Sequence, residues 1–218
     1  MRKQKVIIIG GGFGGLSAAK KITSPNIEVT LIDKTNHHLF QPLLYQVATA
    51  ALSPADIAAP IRGILRSRKN IRVIMGYVEQ IDVENKKIFL ENETLEYDYL
   101  IVSIGSRHSY FGNDEWEKYA PGLKTISDAL KIREKILLSY EKAERSHDEN
   151  EINKYLTFAV SGGGPTGVEL AGAISEIAHK TLMKDFRKID PAKAKVILIE
   201  AANRILGTYD ISLSEKAK

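Results

Sequence analysis

The stretch from Val6 to Ala19, VIIIGGGFGGLSAA, decides the fold class of this chain. It consists of a short apolar β-branched run, a cluster of glycines and then small residues that favour the start of a helix. Gly10, Gly12 and Gly15 fit the pattern G-x-G-x-x-G, which forms a tight turn between a buried parallel strand and a helix. Free N–H groups at such a helix start bind phosphate, and a glycine lets the backbone approach it closely. The stretch therefore predicts a dinucleotide-binding turn.

The same pattern returns in the second half of the chain. Gly162, Gly164 and Gly167 form a second G-x-G-x-x-G after the apolar run Tyr155–Val160, and a helical pattern follows them. A single glycine motif is weak evidence, whereas two copies in the same strand–turn–helix context are specific. We therefore predict an α/β chain with two dinucleotide-binding (Rossmann-like) folds.

Each glycine turn is followed by a predicted strand that ends on an acid. Asp33 follows the strand Ile27–Ile32, close to the ~20-residue interval typical of the acid that binds a ribose hydroxyl. The alternative is that Asp33 only caps a local turn. Glu200 follows the strand Lys195–Ile199 at a longer interval, with Lys184–Lys193 interpreted as an insertion. Because a carboxylate binds both ribose hydroxyls and repels a 2′-phosphate, Glu200 predicts NADH rather than NADPH at the second site.

The remaining pattern predicts two domains, at residues 1–152 and 153–218, with the second one incomplete. Within the first domain we expect further strands, a small antiparallel meander near residues 72–97, a long connecting helix and a polar linker. These elements are predicted at Arg72–Val78, Ile81–Val83, Lys87–Leu90, Leu95–Tyr97 and Tyr99–Gly105 for the strands, Ser127–Arg145 for the helix, and Ser146–Glu151 for the linker.

Composition narrows the function classes. The 218 residues are 44% hydrophobic and 27% charged, as in soluble globular proteins, and the net charge of +4 includes no block of Lys and Arg that would predict nucleic-acid binding. The sequence has no cysteine, which excludes disulfides, thiolate metal sites and cysteine-based redox relays. The paired histidines His37 and His38 have no acidic residue at ligand spacing, so we predict no metal site.

The amino-terminal sequence predicts a cytosolic protein rather than a secreted one. Its apolar run Val6–Ile9 is too short for the core of a signal peptide and breaks at three consecutive glycines. No run approaches the ~18–20 apolar residues of a membrane span. Peripheral contact with a membrane stays open at this point.

Several segments together resemble the type II NADH:quinone oxidoreductases, the single-subunit alternative NADH dehydrogenases. They are Asp33–Ala48 (DKTNHHLFQPLLYQVA), Tyr97–Val102, His108–Gly112 and Gly162–Ala173. The resemblance covers essentially the whole chain. It implies that the first fold binds FAD and the second binds NADH. It also implies that a hydride passes from NADH to FAD and electrons pass on to a membrane quinone, without proton pumping.

The resemblance also implies roles for individual residues. The FAD pyrophosphate would lie on the first glycine turn, with Asp33 at the ribose and Lys34 beside it. Val78, as the valine ending its strand, would meet the adenine through backbone groups. The flavin-proximal turn would use Gly105, although the family's Ala-Thr-Gly is here Ser103-Ile104-Gly105. The cofactor-binding residues are thus predicted to be Gly10, Gly11, Gly12, Phe13, Gly14, Gly15, Asp33, Lys34, Val78, Gly105, Gly162, Gly164, Gly167 and Glu200.

Glu169 matches the family's glutamate near the nicotinamide–flavin contact, where it is proposed to assist hydride transfer or proton handling for the quinone. A structural alternative exists for this residue. If Glu169 lies in the first turn of its helix, its carboxylate simply complements the helix dipole.

The family's chains continue beyond the position of Lys218. They complete the NADH domain, return to the FAD domain, and end in a quinone-site region and amphipathic helices. We therefore expect a fragment whose parent protein associates peripherally with the cytoplasmic face of the inner membrane, with a homodimer also compatible. Two alternatives remain: an NADH-dependent reductase of a protein acceptor such as ferredoxin or rubredoxin, or a non-catalytic nucleotide-binding fragment.

Overall fold

The computed structural model describes residues 2–218. Its strands are β1 Gln4–Ile9, β2 Ile27–Asp33, β3 His37–Leu39, β4 Ala58–Pro60, β5 Ile71–Met75, β6 Val78–Asp82, β7 Lys87–Leu90, β8 Glu93–Glu96, β9 Tyr99–Val102, β10 Thr157–Ser161 and β11 Lys195–Ile199. Its α-helices are α1 Phe13–Lys21, α2 Leu44–Ala48, α3 Pro54–Ile57, α4 Ile61–Leu65, α5 Ile126–Arg145, α6 Glu149–Tyr155, α7 Pro165–Glu176 and α8 Ile211–Lys216. A π-helical turn, Ile177–Thr181, follows α7.

The described residues form two compact units. The first unit contains the chain up to Phe40 together with Ala58–Arg107, and the second contains Gln41–Ile57 together with His108–Lys218. This division by contacts is a different partition from the domains predicted at 1–152 and 153–218, whose boundary stays a prediction. Each unit contains one of the two glycine turns, so the predicted α/β class with two Rossmann-like folds is confirmed.

The first unit is built on a parallel sheet with the strand order β5-β2-β1-β9. Alternating residues of β1 enter two cores because side chains of a strand point to opposite faces. Val6 and Ile8 pack with the helices α1 and α4, whereas Ile7 and Ile9 pack with Ile88 on the other face. The continuous apolar run of β1 is therefore explained by burial on both sides.

The meander of the first unit consists of the antiparallel strands β6, β7 and β8. The predicted strand Arg72–Val78 is wrong at its end, because β5 stops at Met75 and Val78 begins β6. The break falls at Gly76, whose N–H donates to the Asp33 carbonyl oxygen at 2.9 Å. A Cβ at Gly76 would lie 2.8 Å from Leu90 Cδ2, so a larger residue here would have to displace the end of the Leu90 side chain.

The second unit contains the parallel pair β10 and β11 and the long helix α5. A capping box starts α5: the Thr125 side chain accepts from the Asp128 N–H, and the Asp128 carboxylate accepts from the Thr125 N–H. The predicted linker at 146–151 is wrong in its second half, where α6 begins. Asp148 caps this helix by accepting from the Asn150 N–H at 2.9 Å.

Across the described chain, no helix combines the length and apolar composition needed to cross a bilayer.

Tyr140 on α5 is a fully buried aromatic residue of the second unit. Its ring lies 5.5 Å from that of Phe158 and 6.0 Å from that of Phe186, measured between centroids. The hydroxyl oxygen has no hydrogen-bond partner in residues 2–218. Burial raises the pKa of the Tyr140 hydroxyl to about 12.

We expect Tyr140→Phe to raise the free energy of unfolding by about 1 kcal/mol, because the variant removes a hydroxyl that is desolvated without compensation. In the unfolded chain this hydroxyl ionises from pH ~10, whereas in the folded chain it keeps its proton up to about pH 12. The free energy of unfolding of the wild type is therefore unaffected below pH ~10 and falls as the pH rises through about 12. The advantage of the variant should therefore widen above pH ~10. Denaturant unfolding at several pH values measures both effects. Tyr155→Phe, at a half-buried ring, is the control and should change stability by less than ~0.5 kcal/mol.

Candidate functional site

The first glycine turn connects the end of β1 to the start of α1. Gly10 has a positive φ of 101°, a backbone conformation that favours glycine. Its N–H donates to the Ile32 carbonyl oxygen at 2.8 Å, and a Cβ there would lie 2.2 Å from the Ser103 carbonyl oxygen. The positive φ and the closeness of the Ser103 backbone thus favour glycine at this position.

Gly15 and Gly12 have opposite surroundings. A Cβ on Gly15 would lie 1.8 Å from the Gly10 carbonyl oxygen, which shows that α1 packs directly on the strand end. A Cβ on Gly12 would meet nothing within 4 Å. Gly12 is also the N-cap of α1, where the unpaired N–H groups of the helix are exposed. This open space would let a pyrophosphate come close to the backbone at Gly12, and a Cβ on this residue would fill the space.

Asp33 joins the end of β2 to this turn. Its Oδ2 accepts from the Gly11 N–H at 2.6 Å, and its Oδ1 accepts from the Thr35 N–H and hydroxyl, each at 2.7 Å. An ionised carboxylate has about four lone-pair directions, so these three bonds leave one for a ribose hydroxyl. The two predicted roles of Asp33, ribose ligand and turn cap, are geometrically compatible.

The second glycine turn repeats this geometry. Gly162 has a φ of 103° and donates to the Ile199 carbonyl oxygen at 2.8 Å. A Cβ on Gly167 would lie 1.9 Å from the Gly162 carbonyl oxygen, and one on Gly164, the N-cap of α7, would meet nothing within 4 Å. Both turns therefore leave the same open position beside a helix N-terminus.

Glu200 occupies the place of Asp33 in the second turn. Its Oε2 accepts from the Gly163 N–H at 2.5 Å and its Oε1 from the Ala202 N–H at 2.8 Å. These backbone donors, first Ala202 and then Gly163, hold the pKa of the Glu200 carboxyl below its usual value. The group is thus ionised at neutral pH, and two lone-pair directions remain for a ligand.

Glu169 is exposed on α7 and forms no ion pair within the described residues. The helix begins at Pro165 and has no acidic residue in its first turn. The structural alternative, in which Glu169 complements the dipole from the first turn, is therefore wrong. The role of Glu169 near the reacting groups stays a prediction.

The other predicted residues differ in their surroundings. Lys34 is exposed in the turn after β2, and Val78 is half-buried as the first residue of β6 rather than the last residue of β5. The predicted strand through Gly105 is wrong, because β9 ends at Val102 and Gly105 follows in a loop with a φ of 71°. A Cβ on Gly14 would lie 3.1 Å from the Ser103 hydroxyl oxygen, so Gly14 also packs against this loop.

Sequence reasoning missed the aromatic cluster beside the first turn. Phe13, the first residue of α1, contacts the His38 ring edge-on at 4.9 Å and the Phe40 ring at 5.6 Å, measured between centroids. His38 Nδ1 lies 3.2 Å from the Gly11 carbonyl oxygen. The apolar and aromatic composition of the segment from His37 to Ala50 indicated a wall beside a planar ligand, but no local pattern indicated that His38 and Phe40 contact Phe13.

We expect Gly12→Ala and Gly15→Ala to separate ligand binding from folding. The Gly15 variant must push α1 from the strand and should lower the free energy of unfolding by about 1–3 kcal/mol. The Gly12 variant has room for its methyl group, so stability should change by less than about 1 kcal/mol while dinucleotide affinity falls. Unfolding curves and binding titrations on both variants measure this. Equal dinucleotide affinity in wild type and Gly12→Ala would contradict the assignment of the open position.

Comparison with known proteins identifies related chains. A type II NADH:quinone oxidoreductase of Mycobacterium tuberculosis is 49% identical over 220 residues, covering 99% of this chain and 48% of the relative. The structure of NDH2 from Plasmodium falciparum in complex with NADH has a TM-score of 0.89 at 34% identity, covering 98% of this chain and 45% of that one. The resemblance inferred from the sequence is thus confirmed. This chain spans about half the length of the curated relatives it matches.

More distant structures share the fold alone. The NADH:rubredoxin oxidoreductase of Clostridium acetobutylicum is 22% identical, with a TM-score of 0.63 over 94% of this chain and 46% of that one. The family model described as pyridine nucleotide-disulphide oxidoreductase matches residues 4–218. With both glycine turns inside that match, the chain belongs to the pyridine nucleotide-disulphide oxidoreductase family.

Proposed function

We propose that this chain provides the nucleotide-binding turns of an FAD-dependent NADH:quinone oxidoreductase. The observation that carries the proposal is the duplication of one phosphate-binding geometry, with its own acid in each copy. Two dinucleotides held by one protein make productive chemistry when one is a flavin and the other a nicotinamide. The relatives in Mycobacterium and Plasmodium support NADH as the donor, and the one in Mycobacterium supports a quinone as the acceptor.

FAD is assigned to the first turn and NADH to the second, following the family resemblance. Gly10–Gly15 would hold the FAD pyrophosphate and Asp33 its ribose, with Lys34, Val78 and Gly105 nearby. FAD supplies the hydride acceptor when bound, and NADH is the substrate. The half-buried Asp33 carboxylate, fixed by three hydrogen bonds, would orient the ribose without rearrangement.

The second turn would bind and select the substrate. Gly162, Gly164 and Gly167 would hold its pyrophosphate, and the ionised Glu200 would accept from both ribose hydroxyls. The same charge would exclude NADPH by repelling a 2′-phosphate. Glu169, exposed on the helix that starts at this turn, would hold or move a proton at its carboxylate.

The proposal extends to the whole protein. The resemblance supports peripheral association with the cytoplasmic face of the inner membrane, through parts of the relatives that this chain does not match, and it is compatible with a homodimer. Reduction of a quinone rather than of ferredoxin or rubredoxin is favoured because the two relatives from Mycobacterium tuberculosis, at 49% and 50% identity, are NADH:quinone oxidoreductases.

The proposal is tested with the purified chain. We expect a flavin absorbance band, bleaching of that band by NADH without oxygen, and its recovery on adding a quinone. Ferredoxin and rubredoxin serve as comparison acceptors. A folded protein that binds no FAD would reject the flavin assignment, and recovery with rubredoxin alone would favour the protein-acceptor alternative.

We expect Glu169→Gln to slow NADH-dependent flavin reduction or quinone reduction at least about tenfold, because a positioned proton-transfer group is lost. Flavin content should stay unchanged. Glu176→Gln, on the same helix and paired with Lys180, is the matched control and should keep the wild-type rate. Stopped-flow absorbance measures both half-reactions. Unaltered rates in the Glu169 variant would contradict its assigned role.

We expect Glu200→Gln to shift the preference between NADH and NADPH toward NADPH by at least about tenfold, because the repulsion of the 2′-phosphate disappears. KM values for the two nucleotides measure the shift. Glu144→Gln is the control: its carboxylate likewise accepts backbone N–H groups, from residues 187 to 189, which lower the pKa of the Glu144 carboxyl. Equal use of both nucleotides by the wild-type protein would overturn this prediction.

A further inference from the structure

The peptide group on each side of Gly11 is held by a different residue. The Gly11 N–H donates to Asp33 Oδ2 at 2.6 Å, and the Gly11 carbonyl oxygen lies 3.2 Å from His38 Nδ1. A carbonyl oxygen only accepts, so Nδ1 must carry the proton and donate. This leaves Nε2 as the second ring nitrogen, outside this bond.

The bond from His38 has a consequence one residue further along the chain. A trans peptide unit is planar, so the carbonyl of Gly11 and the N–H of Gly12 point in opposite directions. Fixing the carbonyl toward His38 therefore fixes the Gly12 N–H away from it. The position beside Gly12 is open, since a Cβ there would meet nothing within 4 Å. His38 thereby fixes the direction of the N–H of Gly12, the residue beside the open position.

The second turn restrains the equivalent peptide by another donor. The Gly163 carbonyl oxygen accepts from the backbone N–H of Leu206 at 2.6 Å, while the Gly163 N–H donates to Glu200. Leu206 has a positive φ of 51°, uncommon for a residue with a branched side chain. In both turns, a residue outside the glycine motif thus donates to the carbonyl oxygen of the second glycine. The donor is a histidine side chain in the first turn and a backbone N–H in the second. This recurrence indicates that the restraint belongs to the phosphate-binding geometry.

The surroundings of His38 hold its ring in place. His38 lies on β3 opposite Ala59 of β4, which fixes its backbone. The ring of Phe13 contacts the His38 ring edge-on at 4.9 Å, and Phe40 in turn contacts Phe13. A half-buried ring packed in this way presents Nδ1 at a defined position.

We propose that His38 is a positioning residue of the first phosphate-binding turn, which orients the Gly12 N–H toward a dinucleotide pyrophosphate. The identity of that dinucleotide as FAD rests on the proposed function. The orientation of the peptide itself does not, and it can be measured without a ligand.

The experiment separates the hydrogen bond from the packing of the ring. His38→Phe keeps an aromatic ring against Phe13 and removes the donor, whereas His38→Asn restores an N–H donor at about the position of Nδ1 and removes the ring. His37→Phe is the matched control, because among the described residues the His37 ring hydrogen-bonds only to the neighbouring Asn36. Each protein is compared by thermal unfolding, by the ¹H–¹⁵N resonance of Gly12, and by FAD titration of the apoprotein.

We expect His38→Phe to shift the Gly12 resonance and to weaken FAD binding about tenfold, the ratio corresponding to one lost hydrogen bond. His38→Asn should return the Gly12 resonance to near its wild-type position and the FAD affinity to within about threefold of the wild-type value, and His37→Phe should match the wild type. A Gly12 resonance that His38→Phe leaves unmoved overturns the proposal, as does failure of His38→Asn to recover it. If the wild-type chain binds no FAD while the resonance responds as expected, the proposed function fails and the positioning role stands.

Discussion

The close packing of a helix start on a strand end is the constraint on which both units depend. A Cβ would lie 1.8 Å from a carbonyl oxygen at Gly15 and 1.9 Å at Gly167, less than any real side chain tolerates. With glycine at these two positions, α1 and α7 begin directly against their sheets. Their unpaired N–H groups then lie at the strand ends, where the positive end of the helix dipole favours an anion.

The acids at the ends of β2 and β11 add a second level of organisation. Asp33 and Glu200 each accept the N–H of the second glycine of the turn, so each carboxylate fixes the loop that it also complements as a ligand. A group that is already ordered by the protein loses little freedom when a ribose arrives. Each carboxylate can be structural and ligand-binding at once, because its hydrogen bonds to the turn leave at least one lone-pair direction free for a ribose hydroxyl.

Much of this could be predicted from the sequence. The glycine spacing and the buried strands located both turns, because a positive φ and a forbidden Cβ leave a clear residue signature. The strand Lys195–Ile199 was predicted at its observed bounds, since polar residues flank its apolar run. Signals of this kind are local, and the residues that carry them are adjacent in the chain.

The errors arose where distant residues decide the outcome. Val78 was predicted to end its strand, but β5 stops at Met75 and Val78 begins β6, which pairs with β7 of the meander. The helix at Glu149 was missed because a single cap at Asp148 outweighs a polar composition. One alternative predicted Glu169 in the first turn of its helix. It is wrong because the helix already begins at Pro165, which puts Glu169 beyond the first turn. The bond from His38 to Gly11 joins residues far apart in sequence, and no local pattern encodes it.

The two donors that hold the glycine carbonyls differ in how evolution can change them. Every residue except proline has a backbone N–H, so nearly any substitution at Leu206 keeps the donor in the second turn. In the first turn the donor is a side chain, and one base change can remove it or exchange it for another. A single mutation can therefore remove or replace the donor to the Gly11 carbonyl in the first turn. The corresponding bond of the second turn persists as long as the backbone keeps its path at Leu206.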